Sequence, residues 1–485
     1  MNFQSYLFLG FLLVVLAGWQ LLGRCAGPRP QRLWLLAAGL VFYGYSSWLA
    51  LLLLVGEGLV TWLLGRLMLR RPAWRKSLLA LGAALLLAVL VRFKYSGFFL
   101  DNLNALLGTG FSVLSLSLPL GLSFVTFQQI FYLRDCYHGE LDALRPDEFA
   151  LWLTFFPTVS SGPITRPGEM VLQFRDPACR RLTWENLAKG LYCFSLGLFK
   201  KVLIADTLGG AADYGFALVG QLSSSDAVLT ILAYTLQLYF DFSGYCDMAW
   251  GIAKMLGFDL PRNFDSPYRA VSVSDFWSRW HITLTRFFRT CVYIPLGGNR
   301  KGLGRTCGNI MIIFLLSGLW HGAGWGFLLW GALHGGAMVV ERLLRGKVTL
   351  PRWLGWLLTF VFVNVAWVYF RAPTVDQANA LLGAVFQFTP YLPSAGFCSS
   401  LLLPEAAKGL ELLGQALPGA AAVLGRALPL LVFPAALALC LLVPNPIRQA
   451  EHFRPTPWKA VVCVAALVWS VVSFSGVSTF LYVNF

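Results

Sequence analysis

Residues 315–336 read LLSGLWHGAGWGFLLWGALHGG. The stretch is apolar enough to lie in a bilayer, yet it holds His321 and His334, two of the chain's five histidines. Hydrocarbon disfavours ionisable groups, so those found there are functional candidates by default. Imidazole suits such a place, because its neutral form is cheap to bury and it exchanges protons near neutral pH. It can serve as general base toward a hydroxyl. Gly322 and Gly324, which follow His321, leave room for a substrate or a neighbouring helix to reach the ring.

Outward from this stretch the same character continues. The 485 residues are 57% hydrophobic and 13% charged, with a mean hydropathy of +0.65, which is the composition of a polytopic membrane protein. Apolar runs long enough to cross a hydrocarbon core of about 30 Å occur at 3–23, 33–54, 78–92, 113–133, 187–204, 227–246, 309–341, 353–371, 427–444 and 459–483. The run 309–341 is long enough for two passes, or for one pass and a re-entrant piece, giving about eleven spans. The expected fold is therefore all-α, because helices satisfy their own backbone in lipid. The first run lacks the basic flank and cleavage site of a signal peptide and reads as a retained helix.

The net charge of +15 reports topology and not nucleic-acid binding, since the cations cluster between apolar runs as cytoplasmic loops require. Residues 66–76 hold five basic residues and no acidic one, and 276–305 hold six and none. Ten cysteines are scattered singly, without the spacing of a zinc site or a disulfide framework. No metal is expected. The chain reads as one integral domain over 1–485, with a polar interfacial segment at 255–306 and a proline-containing surface excursion at 389–426.

Within the polar segment, Ser274 and Asp275 look like a helix start. A short amphipathic helix follows, with Trp277, His281 and Leu284 toward one side and Arg279 and Arg286 toward another. Its Trp and Arg content suits a membrane interface. Pro295, Gly297 and Gly298 then make a turn whose backbone amides are candidates to hold an anion. Asp241 and Asp247 point about 120° apart on a helix, so they read as structural groups that pair with Arg or cap backbone groups, and not as an acid–base pair. His138 and His452 lie in polar connections and need no special role. The chain has no G-x-S-x-G, P-loop or H-E-x-x-H motif, which leaves base catalysis inside a membrane as the chemistry suggested.

The phrases FWSRWHITLTRFFRTCVYIPLGGNR (276–300) and LSGLWHGAGWGFLLWGALHG (316–335) resemble the two signature segments of membrane-bound O-acyltransferases, in the bacterial branch of the alginate O-acetyltransferase membrane subunit. Further similar pieces follow in order: LPLGLSFVTFQQIFYLRDCYHGE at 118–140, FFPTVSSGPITRP at 155–167, YFDFSGYCDMAWGIAKMLGFDLPRNFDSPYR at 239–269, WVYFRAPTVDQA at 367–378 and the ending FLYVNF. The resemblance implies tilted helices around a central tunnel. It places the family's essential histidine at His321 and the second one at His281, while His334 matches a histidine common in the alginate branch. Thr290 and Cys291 depart from the Asp and Tyr usual in relatives.

The mechanism so implied starts from a cytoplasmic acyl thioester, acetyl-CoA, with no permanently bound cofactor. His321 is the base for an attacking hydroxyl, and His281 orients the acyl group or stabilises charge on its oxygen. Trp280, Arg286, Asn299, Arg300 and Trp320 are the candidate substrate-binding residues. The implied setting is the cell (cytoplasmic) membrane with its lipids. The implied partner is an extracytoplasmic SGNH-type acetyltransferase that modifies a polysaccharide. Two rival readings are D-alanyl transfer to teichoic acid from a carrier protein, and a transporter or flippase of a lipid-linked sugar.

Overall fold

Apolar runs bounded by Ser, Thr, Gly and Pro become helices, and the computed structural model describes them for residues 1–112, 117–179, 181–388, 392–476 and 481. Among the described residues there are helices and turns but no strand. The parts of the expected runs at 113–116 and 477–480, most of the FLYVNF ending, and 389–391 of the excursion lie outside the described residues.

Seven helices among the described residues are long and apolar enough to cross a membrane: Tyr6–Cys25, Trp48–Arg70, Pro72–Lys94, Gly302–His321, Trp325–Leu344, Arg352–Arg371 and Pro418–Leu442. About eleven were expected. The run 33–54 is not one span, because Pro28–Gly44 ends before Ser47, which caps Trp48–Arg70 by accepting from the Ala50 amide. The run 309–341 breaks at Gly322–Gly324 into two helices. Residues 418–426 of the expected excursion lie in Pro418–Leu442, one of these seven segments.

Eight helices position the site: α1 (Arg75–Lys94), α2 (Leu122–His138), α3 (Ser224–Met255), α4 (Val273–Arg279), α5 (Ile282–Phe288), α6 (Gly302–His321), α7 (Trp325–Leu344) and α8 (Arg352–Arg371). The 32-residue α3 is buried along nearly its whole length. Protein rather than lipid surrounds it, so it can carry polar residues on any face. Its Asp241 and Asp247 pair with Lys201 at 2.7 Å and Lys200 at 2.6 Å, both from a π-helical turn at Lys200–Ala205. The partners are lysines where arginines were expected, and Asp241 also accepts from the Leu481 amide at 3.0 Å.

The two helices α6 and α7 lie antiparallel at very close range. A β-carbon on Gly318 would stand 2.3 Å from the Phe327 carbonyl oxygen, and one on Gly331 would stand 2.4 Å from that of Phe314. Small residues are what allow two backbones to approach so closely in a membrane.

All ten cysteines are free thiols.

Candidate active site

The expected amphipathic helix is two helices with a corner between them. Ser272, not Ser274, caps α4 by accepting from the Asp275 amide. The helix stops at Arg279, Trp280 is extended, and His281 takes the left-handed φ of +44° before α5 begins. A non-glycine residue there is strained unless its surroundings hold it. The holding group is Asn263, whose carbonyl oxygen accepts from the Ile282 amide at 3.0 Å. The corner turns the His281 ring inward, where it is fully buried.

On the other side, α6 ends at His321, which is 1% exposed. Trp320 stands between the two imidazoles, with ring centroids 6.0 Å from His281 and 4.8 Å from His321. Trp330 from α7 continues the series, 5.1 Å from His321 and 4.9 Å from His334. Three imidazoles thus alternate with two indoles in the order His281, Trp320, His321, Trp330, His334. On a continuous helix His334 would point about 140° away from His321. The break at Gly322–Gly324 instead folds α7 back, so that both rings contact Trp330. The space beside Gly322 is not open to substrate either, since a β-carbon there would lie 2.0 Å from the Phe327 ring.

The end of α6 needs partners of its own, because the last carbonyls of a helix have no intrahelical donor and the lipid core offers none. The Lys94 ammonium donates to the Trp320 carbonyl and, at 3.3 Å, to Ser123 Oγ. The Tyr95 hydroxyl donates to the Leu319 carbonyl at 2.6 Å. Neither residue was singled out in the sequence. The only local hint is a lysine at the end of an apolar run, which equally fits a membrane-interface anchor.

Two cavities lie near the row, each separated from its rings by other aromatic side chains. The larger, about 960 Å³, runs between α4, α5, the first half of α6, the second half of α7 and α8. Trp277, Phe314 and Phe362 line it and also touch the His334 ring. Its lining also includes Arg289, Arg342, Arg345 and Arg352 against one acid, Glu341, which accepts from the Ser274 amide at 3.0 Å. The smaller cavity, about 390 Å³, lies at the α6–α7 turn; its lining includes Phe327 and Phe370, and Phe370 touches His321 at 5.1 Å.

Of the expected substrate-binding residues, Asn299 lines the larger cavity and Trp320 separates the imidazoles. Arg286 is bound to Glu169 at 2.6 Å and to the Ile164 carbonyl at 3.1 Å. Arg300 is exposed on the turn outside the cavity. Trp280 is fully buried among Phe264, Tyr268, Phe276 and Trp367. The turn is not an anion cradle: its Gly297 and Gly298 amides donate to Ile294 and Tyr293, and Arg300 N donates to Gly297. Among the described residues no group of three His, Cys, Asp or Glu could hold a metal. The loop carboxyl of Glu140 is held down at about 2 by hydrogen bonds from Arg134 and Arg166.

The sequence has relatives among known proteins. The sequence model of the membrane-bound O-acyltransferase family matches residues 144–373, which include both signature histidines. A peptidoglycan O-acetyltransferase of Helicobacter pylori is 41% identical over 415 residues, covering 78% of this chain and 79% of that protein. The chain belongs to the membrane-bound O-acyltransferase family. A probable alginate O-acetylase of Pseudomonas putida is 40% identical over 80% of this chain and 81% of its own length. A teichoic acid D-alanyltransferase of Streptococcus thermophilus is more distant, 29% identical over 48% of this chain and 59% of its own length. The protein is a multi-pass membrane O-acyltransferase, and the three-imidazole row lies buried among its helices.

Proposed function

We propose that this O-acyltransferase takes an acetyl group from acetyl-CoA at the cytoplasmic face and delivers it for O-acetylation of an extracytoplasmic polysaccharide, acting as a single integral unit over 1–485. The observation that carries this reading is the buried row of His281, Trp320 and His321, which continues through Trp330 to His334, beside a large cavity whose lining includes four arginines. Phosphates of a coenzyme A donor match that basic lining, and the adjoining loops are the basic ones assigned to the cytoplasm. Arg289, Arg342, Arg345 and Arg352, with Asn299, are the donor-binding residues in this reading, in place of Arg286 and Arg300.

His321 takes the proton of the attacking hydroxyl as its oxygen approaches the acyl carbon. His281 is its catalytic companion on the other face of Trp320. The acyl group passes to a hydroxyl at the smaller cavity, where an extracytoplasmic acetyltransferase of the SGNH type receives it. The greater identity and coverage of the acetyltransferase relatives support acetyl over D-alanyl as the group carried.

The test is transfer of labelled acetyl from acetyl-CoA in sealed vesicles that contain the protein and its partner. His321→Ala should lower ester formation by a factor of about 10² to 10⁴ at equal protein amount. Solute movement without ester formation would establish a transporter instead, and near-normal transfer by folded His321→Ala would displace the active site.

A further inference from the structure

Asn263 lies in the extended connection after α3, is fully buried, and bonds to three groups of the α4–α5 corner through one oxygen. Its Oδ1 faces the Thr283 amide at 3.2 Å, Thr283 Oγ1 at 2.9 Å and His281 Nδ1 at 3.1 Å. Its Nδ2 donates to Cys246 Sγ at 3.4 Å. A backbone amide can only donate, so the Asn263 atom it faces is the oxygen. Thr283 Oγ1 already accepts from the Ile164 amide at 3.1 Å, which leaves its hydrogen for Asn263.

An amide oxygen can only accept, and so the hydrogen on His281 belongs to Nδ1. In the neutral ring the lone pair then sits on Nε2. When the ring is protonated Nδ1 keeps its hydrogen, and Nε2 is the atom that gains one. The same oxygen therefore fits both charge states and makes Nε2 the proton-exchanging atom of His281. A neutral His281 with this tautomer offers no donor at Nε2 to an acyl oxygen; only its cation does.

We infer that Asn263 is a positioning residue that fixes His281 as the Nδ1–H tautomer, and that His281 acts through Nε2 as the general acid for the donor's leaving thiolate. This rests on the proposed acyl transfer. The hydroxyl oxygen bonds to the acyl carbon while His321 takes the hydroxyl proton. The C–S bond breaks with its electron pair going to sulfur, and the His281 cation gives its Nε2 proton to that thiolate. Before the next turnover His321 releases its proton to water and His281 regains one from water. The sum is thioester plus alcohol to ester plus thiol, and no other reactant is needed.

Two measurements on the full chain test this. With histidine labelled by ¹⁵N, two-dimensional spectra distinguish a hydrogen on Nδ1 from one on Nε2, and the His281 signal is the one lost in His281→Asn. The hydrogen should be on Nδ1 in the unmodified protein and in Asn263→Asp, and should leave it in Asn263→Leu. A hydrogen on Nε2 in the unmodified neutral ring would overturn the proposal whatever the activity.

The second measurement is acetyl transfer from acetyl-CoA. His281→Asn keeps an amide donor near the Nδ1 position, and asparagine tolerates the left-handed backbone better than most residues, so this variant folds but has no Nε2. Its kcat should fall about 10²- to 10⁴-fold with the donor's KM unchanged, and Asn263→Asp should stay within a few-fold of the unmodified protein. Near-normal kcat in His281→Asn would overturn the proton role. If the unmodified protein forms no ester while the tautomer is as expected, the proposed function fails and the Asn263 assignment stands.

Discussion

Lys94→Met removes the ammonium that caps the Trp320 carbonyl and leaves the rest of α1 in place. The carbonyl it abandons closes α6 one residue before His321 and lies in a region from which water is excluded. Leaving such an acceptor unsatisfied costs about 1–3 kcal/mol. If that cost falls on the conformation that presents His321, its population drops by roughly 5- to 150-fold, since each 1.4 kcal/mol is a factor of about ten. Turnover should fall by that factor. The donor's KM should not move, because the arginines lining the cavity are untouched. Tyr95→Phe removes a neutral hydrogen bond to the preceding carbonyl and should cost about 1 kcal/mol, roughly a five-fold loss. Combined, the two changes should depart from additivity, because both groups hold one helix end. Lys94→Arg should recover part of the loss by supplying another cationic donor. The assay is labelled acetyl transfer in vesicles, normalised to folded protein by size-exclusion chromatography. Normal kcat in folded Lys94→Met, or a raised KM with normal kcat, would refute the clamp.

His334→Ala removes the acceptor of the Trp277 indole N–H, a 3.2 Å bond, and opens a hole among aromatic rings. It should lower stability by about 2–4 kcal/mol, seen as an earlier thermal transition, with turnover per folded molecule retained; a stable but inactive variant would give His334 a chemical role. Arg289→Ala with Arg345→Ala should raise the KM for acetyl-CoA more than it lowers kcat, and an unchanged KM would remove the phosphate assignment. Glu140, lowered from 4.5 to about 2 by Arg134 and Arg166, contributes stability that is complete above its ordinary value and lost as pH falls toward 2. It is 42% exposed at its side chain, so Glu140→Gln should cost no more than about 1 kcal/mol at pH 7, and the difference from the unmodified protein should disappear in unfolding measured near pH 2. Cysteines placed at Arg71 and Arg300 should label from the cytoplasmic side; labelling from opposite faces would contradict the position of the donor.

The sequence was informative where a property is carried by one short stretch. The apolar runs, the acid-free basic loops and the Trp-His-Gly segment around His321 are of this kind; they were enough for the membrane class and the family, and they make His321 the candidate base. Spans were harder to count, because an apolar run shows that a segment avoids water but not where its helix breaks. The single run 33–54 conceals the Ser47 cap, and 309–341 conceals the Gly322–Gly324 corner. Periodicity failed at His281 because one left-handed residue interrupts the 3.6-residue pattern, and nothing local to the sequence marks which residue pays that strain.

The sequence by itself determined the medium in which the chain folds and the chemistry its imidazoles could perform, since both follow from residue types and their near neighbours. Only the tertiary structure decided how the imidazoles are held and what holds them. Asn263 meets His281 across 18 residues of chain and Lys94 meets Trp320 across 226. The physical reason is that a buried polar group must find its partner wherever the packing places one. That partner determines which nitrogen carries the proton and which way the ring faces.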